Sequence, residues 1–538
     1  MDVKSIHMEA LADIFYRLYG SSKCSITTAQ AGRLCIVTAN ALVLLSGPVP
    51  AQGNETHRFY YLLRLVPPVS LHTLTSAADC TPAQLISRLM NNRSSTSLER
   101  LQAVSFTQDF VSPFLEGVRL TFTQGTRRRS FDLTLRHSSV AVLLYHTNLK
   151  KFLFVRQFRP AVLVGHVLRQ PENLEKKLDQ INWSNYDASH GYTLELCAGM
   201  IDKDLSTINI AKEEIEEECG YLVKDEKIHA VATFSVSTSQ SGSIQYLFYA
   251  EIDDSMKVSE GGGNIHEGEI ITKVFLTENE VLAHLNSDNY CSGSPTMLYA
   301  LLWWFAHKKG QQELPFLQLP HKSTYKWQPK DLIPLRDFKF EKMVSPKQLS
   351  PQRMHFTLNA MTRTWDLALC DDNVCILLFN ESKDEVILTQ IFRPAALVGQ
   401  TIHRYSPGIA LDSIDWPSQP IEWAYTLEMC SGHYRKGSSI EEIEARVKEI
   451  AAVKCGYRVD SIRFIISYIV GISFAGNRER VYYAEVNDSM RILEWSPYED
   501  IIPFSLPLME ISSFIRAEKP TSPPAVMFML QWFLNNRK

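Results

Sequence analysis

Glu214, Glu217 and Glu218 stand at i, i+3 and i+4 within Ser206–Tyr221, which reads Ser-Thr-Ile-Asn-Ile-Ala-Lys-Glu-Glu-Ile-Glu-Glu-Glu-Cys-Gly-Tyr. On a helix those three carboxylates converge on one flank. The helix is expected because Ser206 suits an N-cap, Gly220 suits the residue after the last turn, and Ile208, Ala211, Ile215 and Cys219 form an apolar stripe. Like charges at these spacings cost roughly 0.2–0.5 kcal/mol per pair, and the C-terminal end of a helix prefers cations. Two readings are open on these residues alone. One is a solvated acidic face; the other is an oxygen-donor site for a hard divalent cation. A cation held there neutralises charged phosphoryl oxygens and lowers the pKa of a bound water.

An internal repeat weighs on that choice. Val111-Ser112-Pro113 returns as Val344-Ser345-Pro346, and Phe158-Arg159-Pro160-Ala161 as Phe392-Arg393-Pro394-Ala395. Tyr192-Thr193-Leu194-Glu195-Leu196-Cys197 returns as Tyr425-Thr426-Leu427-Glu428-Met429-Cys430. Tyr249-Ala250-Glu251 matches Tyr483-Ala484-Glu485, and both copies end on a Trp-containing apolar helix near Trp304 and Trp532. The offset stays between 228 and 236 residues, which implies a tandem duplication. Each copy would hold about 200 residues, a size that buries its own core. The second copy's helix, Ser439–Cys455, opens on an S-x-x-E capping box, Ser439 and Glu442, and carries late cations in Lys448 and Lys454. At the places of Glu214, Glu217 and Glu218 it has Ile450, Val453 and Lys454. A costly cluster present in one copy and absent from its twin favours the cation.

The elements that would position the cluster read as mixed α/β. Val140–Tyr145 and Phe152–Val155 are strand-like runs joined by the polar turn His146–Lys150, with counterparts in Cys375–Phe379 and Val386–Thr389. Ile244–Ile252 is a further strand, a helix follows Gly199, and an amphipathic helix closes each copy. The expected organisation is an unassigned region at 1–105, one copy at 106–310, a Pro-, Lys- and Gln-rich linker at 311–340, and the second copy at 341–538. Cys197, Cys219, Cys430 and Cys455 repeat between the copies and read as buried small hydrophobes.

These residues carry a family resemblance. Gly199, the run Glu214-Ile215-Glu216-Glu217-Glu218 and Gly220-Tyr221 resemble the Nudix box, with 20 residues between the two glycines. Gln157-Phe158-Arg159-Pro160-Ala161 and Leu194-Glu195-Leu196-Cys197-Ala198-Gly199 are similar to the nucleotide-sugar and ADP-sugar diphosphatase branch, with a long insert at about 166–191. The likeness covers about 111–306, and 344–535 as a decayed copy. It implies an α/β/α sandwich in two tandem copies. It also implies Mg²⁺-dependent hydrolysis of a nucleoside diphosphate sugar, with Mn²⁺ as an alternative cation. UDP-glucose would give UMP and glucose 1-phosphate; ADP-ribose would give AMP and ribose 5-phosphate. Carried over, Glu214, Glu217 and Glu218 hold the metal with the Ala198 carbonyl. Glu267 and Glu269, on the glycine-hinged loop Gly261–Glu269, serve as base and metal ligand, and Arg156, Arg159 and Glu195 bind or support the substrate. Without the resemblance that loop reads first as a solvated surface loop. Two positions depart from the box: Glu213 stands where the family has Arg, and Leu205 where it has Glu.

The branch commonly dimerises, so the two copies are expected to pair as an intrachain pseudo-dimer, with Arg393 or its neighbours lining the first copy's site and further homo-oligomerisation open. A silent nucleotide-sugar sensor is the alternative from another class. Composition narrows the rest. With 45% hydrophobic and 21% charged residues and a net charge of −4, the chain reads as an ordinary globular protein rather than a disordered one. Its 55 basic and 59 acidic residues give no reason to expect nucleic acid. The longest apolar runs, such as Ala300–Ala306, fall short of the ~20 residues of a membrane span. Met1–Phe15 has no signal-peptide h-region, and ten cysteines include no CxxC pair, so a reducing cytoplasm is the expected location.

Overall fold

Nearly unbroken apolar runs build the central strands, because both faces of their sheets are covered. A computed structural model describes the strands at 24–29, 33–38 and 41–46, and residues 99–537 except 109, 265–268, 286–292, 310–321, 344–348, 406–407, 497–500 and 518–521. The chain divides into Met1–Arg93 and Ser94–Lys538. In the first unit β1 (Cys24–Ala29), β2 (Arg33–Thr38) and β3 (Ala41–Ser46) form an antiparallel meander.

The second unit contains two similar halves. The first runs through β4 (Gln102–Thr107), β5 (Glu116–Gln124), β6 (Arg127–Leu135), β7 (Ser139–His146), β8 (Lys151–Phe158) and helix α1 (Pro160–Leu168). It continues through β9 (Tyr192–Glu195), β10 (Cys197–Met200) and α2 (Thr207–Glu214, extended by a wider turn over Ile215–Cys219). It ends with β11 (Ile228–Ser235), β12 (Ile244–Ile252), β13 (Ile271–Thr277), α3 (Glu278–Leu285) and α4 (Pro295–Lys309). The second half repeats this order. Its elements are β14 (Leu335–Lys342), β15 (Ser350–Leu358), β16 (Met361–Leu369), β17 (Asp372–Asn380), β18 (Glu385–Phe392) and α5 (Pro394–Ile402). Then follow β19 (Tyr425–Glu428), β20 (Cys430–Tyr434), α6 (Ile440–Cys455), β21 (Arg463–Val470), β22 (Asn477–Val486), β23 (Ile501–Pro507), α7 (Ile511–Ile515) and α8 (Pro524–Asn536).

Each half holds one mixed sheet. In the first the order is β11-β12-β7-β8-β13, with β10 on β7, β9 on β8 and a parallel β12–β7 pair; the second half has the equivalent sheet. On β7, Val140, Val142 and Leu144 face Ile210, Ala211, Ile215 and Cys219 of α2. Tyr145 and Phe152 face Trp304 of α4 on the other side, with ring centroids 5.1 and 4.8 Å away. This is the expected α/β/α sandwich. The closing helix α4, expected to be amphipathic, instead buries five consecutive residues, Met297–Leu301. It lies between its own sheet and α8 of the other half, so it has almost no solvent face.

The halves also exchange strands. The outer sheet of the first half has the order β14-β5-β6, and that of the second has β16-β15-β4. Each therefore takes its edge strand from its partner. The residues 335–340 expected in a linker form most of β14, and β4 begins before residue 106, the expected start of the first copy. Cores are shared accordingly. Phe356, Leu358 and Leu367 pack with Ala161, Leu163 and Val164, while Leu120, Phe122 and Leu133 pack with Ala395, Leu397 and Val398. The turns after β11 and β21 close the seam: Gly476 (φ 61°) lies where a Cβ would overlap the Ala161 carbonyl, and Gly242 (φ 59°) does the same at Ala395. Among the described residues no helix is long and apolar enough to cross a membrane.

A buried ion pair crosses the seam. Arg169 donates through Nε and Nη2 to Asp372 at 2.8 and 2.7 Å, and Asp372 also accepts the Arg478 amide at 2.7 Å. Arg169→Met leaves the Asp372 carboxylate buried without its counter-charge and should lower the unfolding free energy by about 3–5 kcal/mol. Denaturant titration of the full chain measures this, and a loss below about 1 kcal/mol contradicts the pair's role in holding the halves together.

Candidate active site

Two backbone features set the first half's carboxylates in place. Ser206 caps α2 by accepting the Asn209 amide at 3.2 Å, and Gly220 (φ 80°) ends it in the left-handed conformation, both as expected. The closing bonds, Gly220 N to Glu216 O at 2.9 Å and Tyr221 N to Ile215 O at 3.4 Å, recur at Gly456 and Tyr457. The cap itself is therefore common to both halves; what differs is the wider turn over Ile215–Cys219, where the second half stays α-helical, and the side chains. Antiparallel pairing of β10 with β7 then puts Gly199 opposite Val140, directly beneath α2, and a Cβ there would overlap the Glu214 carboxylate.

Glu214, Glu217 and Glu218 share this end of α2, with Glu269 in electrostatic reach. Glu218 is 1% exposed, and its Oε2 accepts the Ala198 amide at 3.0 Å. Burial above all, then the charges of Glu214 and Glu269, pushes its carboxyl well above the ordinary range. Burial followed by Glu269 and Glu217 raises Glu214 to about 7, against a partial opposing pull from Lys203. The glycine hinge brings Glu269 in: the amides of Gly262 and Gly263 donate to the Glu218 and Glu217 carbonyls at 3.0 and 3.1 Å. Those bonds satisfy the orphan carbonyls of the helix end and dock the loop on the acidic turn. Glu267 and His266 lie outside the described residues. Glu213, which departs from the box, turns outward to Lys203 Nζ at 2.8 Å and leaves Glu214 its inward orientation.

Arg159 follows β8 and donates through Nε and Nη2 to Glu195 at 2.8 and 2.7 Å, with Thr193 bonded to the same carboxylate. Burial would lower the Arg159 pKa, but Glu195, helped by Glu269 and Glu218, outweighs it and raises it. Arg159 and Glu195 thus join the cluster as one fixed unit. Arg156 does not. On β8, Leu153 and Val155 face α2, so the alternating position Arg156 falls on the opposite face. There its guanidinium stacks 4.1 Å from the Tyr192 ring centroid. Phe158 and Trp183 are core residues, and Tyr186 bonds to Glu172 at 2.8 Å.

The second half has the same frame with a different filling. Arg393 holds Glu428 at 2.9 and 2.6 Å, and Ile450 lies over Gly432 where Glu214 lies over Gly199. Lys454, at the position of Glu218, donates to the Ser431 carbonyl at 2.6 Å, and Ser431 is the counterpart of Ala198. An ammonium thus meets the carbonyl that the resemblance assigns to a metal. Trp495 replaces the glycine hinge, its Nε1 donating to the Val453 carbonyl at 2.7 Å. Arg393, which with its neighbours was expected to line the first site, is instead bonded to Glu428 of its own half among the described residues. The contact runs the other way, with Thr238 of the first half donating to Glu428 Oε1 at 2.7 Å. Near Arg159 the second half instead contributes Ile472, packed on Val162.

Among the described residues no three His, Cys, Asp or Glu side chains already stand in ligating geometry. The donor chemistry nevertheless suits a hard divalent cation: oxygen donors only, and carboxylates whose burial and mutual charge raise their affinity for a positive partner. Glu214, Glu217, Glu218 and the Ala198 carbonyl could hold one. Sequence reading missed Arg136, whose side chain bonds to the second half's Ser473. Its repeat counterpart is Cys370, one of several places, like Arg156 and Gln390, where one copy carries charge and the other does not.

No family model matches the chain. Curated relatives do. The chain is similar to uridine diphosphate glucose pyrophosphatase NUDT14 of Bos taurus, at 35% identity over 184 residues, 33% of this chain and 83% of that protein. The same protein of Mus musculus is 31% identical over 235 residues, 41% of this chain and 100% of the relative. GDP-mannose pyrophosphatase of Cronobacter sakazakii is 35% identical over 139 residues, 26% of this chain and 58% of the relative. A solved ADP compounds hydrolase is 13% identical, with a TM-score of 0.25 over 36% of this chain and 91% of that one.

The raised carboxyls give the stability a pH dependence with a definite sign. Glu214 ordinarily loses its proton near 4.5 but keeps it to about 7 in the fold. Without a cation its contribution is full below 4.5 and is lost as pH rises through 7, a change on the order of 3 kcal/mol. In EDTA the thermal midpoint should therefore fall between about pH 5 and pH 8, and Mg²⁺ should restore it at pH 8 while doing little at pH 5. A midpoint indifferent to Mg²⁺ at pH 8 contradicts a cation site on α2.

Proposed function

The chain belongs to the Nudix hydrolase family, and we propose that it hydrolyses the pyrophosphate bond of a nucleoside diphosphate sugar at one active site per chain. The observation that carries this reading is the carboxylate set Glu214, Glu217, Glu218 and Glu269 of the first half, set against Ile450, Val453 and Lys454 in the second. The relatives are named for UDP-glucose and GDP-mannose. UDP-glucose, giving UMP and glucose 1-phosphate, is the first candidate substrate, with GDP-mannose and ADP-ribose beside it. The two halves are copies of one ancestral domain, the first running from β4 to α4 and the second from β14 to α8. The second serves as the structural partner in an intrachain pseudo-dimer. The buried free thiols Cys197, Cys219, Cys430 and Cys455 suit a reducing cytoplasm.

In this reading Glu214, Glu217, Glu218 and the Ala198 carbonyl hold Mg²⁺ or Mn²⁺. The cation supplies charge neutralisation at the phosphoryl oxygens and a water of lowered pKa. Every other part of the task falls to the chain. Glu195 fixes the Arg159 guanidinium bidentately, so that its remaining N–H groups meet the anionic substrate without reorganisation. Glu269, exposed on a loop whose hinge is bonded to the acidic turn, accepts the proton of the attacking water, with Glu267 of the same loop as the other candidate base. The fold of β10 against α2 keeps the carboxylates in register with Arg159.

Incubation of the full chain with Mg²⁺ and UDP-glucose, GDP-mannose or ADP-ribose should release nucleoside monophosphate, measured by chromatography. Glu218→Gln should lower turnover by about 100-fold or more, while Lys448→Gln on the second half's helix should leave it unchanged. Tight binding with no turnover on any of the three substrates contradicts the enzyme and favours a sensor.

A further inference from the structure

The long insert of the first half, at about 166–191, has no part in the site described above. It forms one wall of a groove of about 530 Å³ at the seam between the halves. That size suits a small ligand, since such sites enclose roughly 300–1,000 Å³. Leu168, which ends α1, lines the groove with Leu174 and Lys176 of the insert. The opposite wall belongs to the second half, where Tyr434 closes β20 and Arg435 and Lys436 follow it. Gly437 (φ 85°) lets the two walls approach, because a Cβ there would overlap Leu174.

Three cations line the groove from both sides, and none is held in a strong pair. Arg435 Nη2 donates to Glu175 at 2.7 Å, but these two side chains are 81% and 82% exposed. A pair so exposed contributes little and is readily exchanged for a more highly charged anion. Lys176 Nζ donates to Asn173 Oδ1 and Lys436 Nζ to the Cys370 carbonyl, each at 3.3 Å, so both ammonium groups meet neutral oxygens. Asp371 is the one carboxylate among the described lining residues. The first half differs at the same turn: Met200-Ile201-Asp202-Lys203 follows Gly199, whereas His433-Tyr434-Arg435-Lys436 follows Gly432. An acid of the first half is an arginine in the second, so the turn is balanced in one and positive in the other.

We propose that this groove is a second, non-catalytic site, which binds a phosphomonoester between the two halves. Such a group carries a charge of about −1.5 to −2 near neutral pH and presents three acceptor oxygens. The planar fork of Arg435 takes two of them, and the ammonium groups of Lys176 and Lys436 close on the anion from the two walls. The organic body of the ligand lies against Leu168, Leu174 and the Tyr434 ring. The choice of ligand rests on the pyrophosphate-bond reading above, because both products of UDP-glucose hydrolysis, UMP and glucose 1-phosphate, are phosphomonoesters. The place in the fold gives occupancy a consequence. Leu168 ends the helix whose N-cap is Arg159, so a ligand that ties this end of α1 to β20 bears on the helix that carries Arg159.

Calorimetric titration of the full chain in EDTA with UMP, and separately with glucose 1-phosphate, tests the groove. EDTA leaves the first half's carboxylates without a cation, and they then repel a phosphoryl group. At least one product should bind the wild-type chain and raise its thermal midpoint, and the one that binds identifies the source of the phosphomonoester. Arg435→Glu should weaken binding roughly 10- to 100-fold and Lys176→Glu roughly 10-fold. Arg127→Glu, an equal change of charge at the exposed start of β6, should leave binding unchanged. Circular dichroism checks the fold of each variant. Binding of neither product, binding equal in the wild type and the two groove variants, or an equal loss in Arg127→Glu overturns the groove. Binding lost only in the groove variants of a chain that hydrolyses nothing upholds the groove and refutes the hydrolase.

Discussion

Carboxylates crowded at the C-terminal end of a helix repel one another and oppose the helix dipole, and most of what distinguishes the two halves follows from that constraint. In the first half burial and mutual repulsion push the half-buried Glu214 and the buried Glu218 above the ordinary carboxyl range, Glu213 is drawn away by Lys203, and two loop amides satisfy the carbonyls of the acidic turn. In the second half the same frame carries Ile450 and Lys454. Its helix closes with a lysine on a strand carbonyl and an indole on a helix carbonyl. One arrangement is complete as it stands, while the other has unbalanced charge that a cation would complete.

The shared cores explain why the second half persists without carboxylates of its own. Strands β4 and β14 each complete the partner's outer sheet, and the helix after each Arg-Pro pair packs under residues of the other half. Each half closes one core between its own sheet and its own helix, but the core under the Arg-Pro helix is shared, so loss of the second half would open the first on that side. The retained Arg393–Glu428 pair fits this view, since Thr238 of the first half bonds into it. Conservation of that pair between the halves marks a structural joint as much as a substrate contact. The glycines at 242 and 476 show the same constraint at backbone level, because any side chain there would separate the turn from the helix it seals.

Much of this was legible in the sequence. The caps Ser206, Gly220 and Ser439 and the strand runs at Val140 and Phe152 follow from local spacing, which is the information a sequence displays directly, while the α/β/α layering is what the family resemblance implies. What local spacing cannot display is pairing at a distance. Leu335–Lys342 resembles a linker because an edge strand may be polar on one face, and its partner β5 lies some two hundred residues upstream. The closing helix Pro295–Lys309 looked amphipathic because the packing of α8 against it is equally remote. Arg156 is a different kind of case. Its proximity in sequence to Arg159 suggested a common role, whereas the two-residue alternation of Leu153 and Val155 already assigned it to the other face.

The central claim is that a divalent cation is held by the first half's helix and by nothing in the second. Titration of Mn²⁺ into the full chain, followed by electron paramagnetic resonance of the free ion, tests it most directly. The account predicts saturable binding that disappears in Glu214→Gln/Glu218→Gln and is unchanged in Lys454→Gln. Binding that survives the double substitution with the same stoichiometry would contradict it.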